Sequence, residues 1–82
     1  MHNHNIDITK NIRTIEILKS NLLSEVAFLY EIMAHAKIAD EEKEETISNI
    51  IALSYILAHK LSINHNTLEK KVNAKLTKGG DQ

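Results

Sequence analysis

The chain has 82 residues, a formal net charge of -1, no cysteine and no proline, and its glycines stand only at positions 79 and 80. That length allows one domain with a modest core, which needs a metal, a partner or close helix packing for stability. The composition excludes disulfides and thiolate metal centres, gives a sheet none of its turn chemistry, and offers nucleic acid no basic excess.

The start, Met1 to Asn5, is polar, with no apolar segment after a basic one. The longest nearly apolar run, Ile50 to Ala58 with Ser54 inside it, falls far short of the roughly 18 residues of a membrane helix. The expected setting is the cytoplasm, with no membrane partner.

Residues 1–6 read as a flexible tail, residues 7–78 as one helical domain, and residues 79–82 as a second tail. From Ile8 the apolar residues Ile8, Ile12, Ile15, Leu22, Val26, Leu29, Met33 and Ala36 follow steps of three, four or seven. That is one stripe of a long helix, with Asp7 or Thr9 as a start cap and a weak point at Asn11 to Thr14. Lys37 to Asp40 forms a turn, and Asp40 caps a second helix. Glu41, Glu42, Glu44 and Glu45 crowd its start, where carboxylates complement the helix dipole. Its expected apolar face is Ile47, Ile50, Ser54, Leu57 and Leu61. After a turn at Ser62 to His65, Asn66 and Glu69 make a variant capping box for a shorter third helix. Leu68, Val72 and Leu76 form its stripe, and Gly79 stops it.

The first two helices are apolar on more than one face: Val26 to Tyr30 with Ile32 and Met33 nearly encircle the first, and Ile50, Ile51, Leu53, Ile56 and Leu57 the second. Such helices need cover all round, and three helices in one chain cannot supply it. The predicted fold is all-α: a long helical hairpin plus a shorter third helix, dimerising into a four-helix-bundle core as a homodimer or a dimer of dimers.

Three segments carry a family resemblance. Asp7 to Lys19, Leu22 to Leu29 and Glu45 to Ile63 resemble the opening segment and the two acidic-motif helices of the MazG-like branch of the all-α nucleoside triphosphate pyrophosphohydrolases. The resemblance covers most of residues 7–78. It implies hydrolysis of a nucleoside triphosphate to the monophosphate and pyrophosphate. Magnesium would be held by Glu-x-x-Glu on one helix and Glu-x-x-Asp on the next. Carboxylates three apart share a helix side, and magnesium takes hard oxygen ligands.

Carried over position by position, Glu25 opens the first motif and Phe28 stands where its second glutamate belongs. Thr46 opens the second motif, beside Glu45, and Asn49 replaces its aspartate. The metal candidates are therefore Glu25, Glu45 and Asn49. Outside a metal role, Glu45 is one more solvated first-turn glutamate, and Glu25 is a carboxylate paired with a lysine, Ser48 or Asn49. With one matching carboxylate, the expected function is a non-catalytic nucleotide-binding or protein-interaction module with a largely eroded site. The alternative is a weakly active magnesium-dependent pyrophosphohydrolase.

Other chemistry is thin. His35, His59 and His65 lack metal-ligand spacing, although His59 sits one turn after Tyr55, in reach for stacking. No serine lies in a glycine-flanked elbow, and Lys78-Gly79-Gly80 lacks the spacing of a phosphate loop. Leu57 to Leu68 has the outline of a helix-turn-helix with Lys70, Lys71 and Lys75 beyond it, which makes DNA binding a second alternative. Lys71, standing where a packed apolar residue is expected, and the net charge weigh against it. Partners are thus the chain itself, with a nucleotide or a protein as further candidates.

Overall fold

A computed structural model describes residues 2–80, with side chains from Lys10 to Gly79. It contains three helices in chain order: α1 (His2–Met33), α2 (Asp40–Lys60) and α3 (His65–Gly80). No strand is present among the described residues, in agreement with the all-α expectation.

Helix α1 runs unbroken for 32 residues. Its start precedes Ile8, so Asp7 and Thr9 lie inside the helix and do not cap it. The weak point at Asn11 to Thr14 does not break it either. There the Thr14 hydroxyl donates to the Lys10 carbonyl at 3.0 Å, a bond back along the helix that tends to bend it slightly rather than end it.

The hairpin seam differs from the expected stripes. On α1 the buried or half-buried positions include Asn11, Ile15, Leu18, Leu22, Glu25, Leu29 and Ile32, in alternating steps of four and three, with Thr14 and Val26 half-buried beside them. On α2 they include Lys43, Thr46, Ile50, Leu53, Leu57 and Lys60, in alternating steps of three and four. This is the spacing of a coiled-coil seam. Leu18 and Ile32, absent from the expected stripe, are its most buried apolar residues on α1, whereas Ile12 and Met33 are more than half exposed. Ile47 on α2 and Leu61 just past its end are likewise exposed. The reason is that both helices are apolar on several sides, so periodicity permits several stripes and only packing selects one.

The connections were also shifted. Helix α1 stops at Met33, ahead of Ala36, and Ala39, not Asp40, is the N-cap of α2, with an extended backbone and no side-chain cap bond. Asp40 instead joins Glu41 and Glu42 in the first turn, where the dipole favours them. Helix α2 ends in a Schellman turn. Ile63 N–H donates to the Ala58 carbonyl at 2.9 Å and Ser62 N–H to the His59 carbonyl at 3.0 Å, with Ser62 in the left-handed region at φ 64°.

Asn64, not Asn66, caps α3. Its Oδ1 accepts the Thr67 N–H at 3.0 Å, and its carbonyl accepts the Leu68 N–H at 3.0 Å. At the other end α3 passes through Gly79 to Gly80 with no glycine at positive φ. Glycine permits a helix stop without enforcing one.

The result is long and thin, 54 × 29 × 15 Å, with a radius of gyration of 16.4 Å, where a compact chain of this length has about 12 Å. Its accessible surface is 6952 Å², against about 5,000 Å² for a compact protein of this mass. No large side chain is fully buried among the described residues. Helix α1 packs on α2, and α2 on the start of α3. Leu23 (72% exposed), Tyr30 (70%), Met33, Ile47 and Ile51 are left open on the flanks of the hairpin. No helix is long and apolar enough to cross a membrane among the described residues.

Candidate functional site

Asn21, Ser24, Glu25 and Phe28 share one side of α1 because they fall at steps of three, one and three. Asn49, Ala52, Leu53 and Ile56 repeat the same spacing on α2. Antiparallel packing sets these two rows opposite each other and forms an open groove of about 590 Å³. Its apolar lining is Ala52, Leu53, Phe28 and Ile56, the last two half-exposed.

Besides Asn21 and Ser24, the groove holds one polar pair that bridges its two sides. Asn49 donates from Nδ2 to Glu25 Oε1 at 3.0 Å, linking α1 to α2 across the seam. A second cross-link lies further along, where Asn11 Nδ2 donates to the Lys60 carbonyl at 3.4 Å. Among the described residues no buried side-chain nitrogen or oxygen lacks a partner. The carboxylate of Glu25 is half-buried and accepts a hydrogen bond from an amide, a role open to it from its place between Leu22 and Leu29 in the seam.

The other motif positions diverge. Thr46 is 3% exposed and turned into the hairpin. Its hydroxyl donates to the Glu42 carbonyl at 2.9 Å, which satisfies it without any partner on α1. Phe28 lines the groove at the position of the missing glutamate. Glu45 does not line the groove. It is exposed one turn before Asn49, in a shallow depression with Ala39, Glu41 and Glu42. Of the three candidate ligands, Glu25 and Asn49 are brought together and Glu45 stands apart from them.

Magnesium is the ion that the resemblance implies, and the donor set does not fit it. The groove presents one carboxylate, and the amide beside it points its N–H₂ group at that carboxylate. Among the described residues no group of three or more histidine, aspartate or glutamate side chains is arranged to hold a metal. Magnesium takes hard oxygen ligands in octahedral array, and where the resemblance implies four carboxylates around it the groove offers Glu25 alone.

The model of the MazG-like family matches residues 8–82. The chain belongs to the MazG-like family. No curated protein and no solved structure matches it. Family membership relates the hairpin to the nucleoside triphosphate pyrophosphohydrolases, and it makes the groove between α1 and α2 the place to look for remaining chemistry.

Asn21 and Ala52 were not singled out from the sequence. Their signal was available: the same three-one-three spacing runs through Asn21 and Ser24 to Phe28 and from Asn49 to Ile56. The aromatic partner of Tyr55 also differs from the expectation. It is His65 in α3, with ring centroids 5.2 Å apart, and not His59. The turn at Ser62 brings the start of α3 against the last turns of α2, which a single-helix reading cannot foresee. His65 Nε2 lies 2.9 Å from Glu69 Oε2, so its nearest carboxylate is on its own helix.

Proposed function

We propose that this MazG-like chain is a non-catalytic module: a helical hairpin that self-associates and offers the α1–α2 groove to a nucleotide or a protein partner. The observation that carries the reading is the Glu25–Asn49 hydrogen bond of 3.0 Å. The carboxylate best matched to the family motif serves as a structural link between helices. Phe28 and Thr46 fill the neighbouring motif positions with an aromatic ring and a self-satisfied hydroxyl.

Self-association follows from the exposed apolar flanks. Side chains such as Leu23, Tyr30 and Ile51 are open to water, and each large apolar side chain gains about 1.5–3 kcal/mol on full burial. A second hairpin laid on the first gives these residues cover and completes a four-helix core. The cytoplasm is the setting this reading assumes.

The test is pyrophosphate release from a panel of ribo- and deoxynucleoside triphosphates, with magnesium and then manganese, at high protein concentration. The reading expects no turnover above that of Glu25→Gln. Turnover that disappears in Glu25→Gln would instead assign the chain to the weakly active pyrophosphohydrolases, with Glu25, Glu45 and Asn49 as the ligands to examine.

A further inference from the structure

We infer that two copies of this chain pack head to tail, so that α3 of each lies against the acidic end of its partner's hairpin. The inference rests on the self-association proposed above and adds a direction and a contact to it.

Helix α3 is incompletely covered by its own chain. It meets α2 at its start, where His65 and Leu68 approach Tyr55 and Ala58, and among the described residues it does not pack on α1. Leu68 and Val72 are half-buried, but Leu76, next on the same stripe, is 66% exposed. The polar side of the helix carries Lys70, Lys71, Lys75 and Lys78, all exposed, against the single carboxylate Glu69.

The opposite end of the hairpin has the complementary chemistry. Asp40, Glu41, Glu42, Glu44 and Glu45 open α2, and only Lys37 and Lys43 offset them there. Lys43 is engaged locally, 3.9 Å from Asp40. Beside these carboxylates, Tyr30, Met33 and Ile47 are exposed and apolar. An apolar patch edged with acid thus stands at one end of the molecule, and an apolar stripe edged with lysine at the other. Helix α2, 21 residues long, separates the acidic end from the start of α3 by about 30 Å. That is several times the screening length of about 8 Å at physiological salt.

Two hairpins can stack about a two-fold axis that runs along the helices or across them. With the axis along the helices, acidic end meets acidic end and lysines meet lysines. With the axis across them, each acidic end reaches the α3 of the other copy twice over, by symmetry. Like charges in apposition disfavour the first arrangement, and opposite charges fix the register of the second. The same arrangement covers Leu76 with the patch at Tyr30 and Met33.

The test uses two exposed-site variants of the full chain, Lys71→Glu/Lys75→Glu and Glu41→Lys/Glu44→Lys, with helix content checked by circular dichroism. Sedimentation equilibrium gives each homodimer constant, and donor–acceptor labelling gives the constant of the mixture. Each variant alone should dimerise on the order of tenfold more weakly than wild type, from two or so lost pairs on each side. The equimolar mixture should recover wild-type affinity, because its two contacts again join opposite charges. If lysines unwind the first turn of α2, Glu44→Lys alone replaces the double variant. Homodimers as tight as wild type, or a mixture no tighter than its components, would overturn the head-to-tail contact while leaving self-association standing. A wild-type chain that stays monomeric at all concentrations would remove self-association itself.

Discussion

Asn49 holds Glu25 across the hairpin, Nδ2 to Oε1 at 3.0 Å, and this one bond occupies the carboxylate that the family motif would turn to metal binding. An amide there donates to the carboxylate, whereas an aspartate would repel it. Where the resemblance implies two carboxylates bridged by a cation, Glu25 and Asn49 make a hydrogen-bonded link that carries a single negative charge.

Restoring the acids should restore the need for the ion. In chelator, Phe28→Glu/Asn49→Asp should lose about 1–3 kcal/mol of stability, through the lost hydrogen bond and the new repulsion. Millimolar magnesium or manganese should recover much of that loss by binding the folded state. Thermal melts with and without metal check it. A variant indifferent to metal would mean that the groove does not converge on an ion even with three of the four motif carboxylates in place.

Ser62 sits at φ 64° in the turn that ends α2. A side chain with a Cβ costs about 1–2 kcal/mol in that region, and glycine relieves it at some entropic cost in the unfolded chain. Ser62→Gly should therefore raise stability by about 0.5–1 kcal/mol, read from urea unfolding. A destabilised Ser62→Gly would show that the serine side chain has a stabilising role of its own in the turn.

Asn64 carries the cap of α3. Asn64→Ala should cost about 1 kcal/mol, and hydrogen exchange should locate the loss in the first turns of α3, the least covered helix. Asn66→Ala, two residues on, should change little. Equal effects at the two positions would put the cap elsewhere.

These caps illustrate what the sequence made legible. The three helices and their order could be read from apolar spacing and from the glutamates that open α2. The partner of Glu25 was among the readings available for it. The seam was not legible, because Ile12 and Met33 obey helical spacing as well as Leu18 and Ile32 do, and only the position of α2 separates them. The cap of α3 was misplaced by two residues because Asn64 and Asn66 are chemically alike. Glu45 was grouped with Asn49 from their four-residue separation, but one helical turn is enough to leave it outside the groove.

The central claim is that one copy of this chain does not complete its own core. Urea unfolding followed by circular dichroism at about 1 μM and about 100 μM chain tests it most directly, since a folded state held together by association gains stability by mass action. The account predicts a midpoint that rises clearly with concentration. The same midpoint at both concentrations, with a monomer's mass by sedimentation, would contradict it.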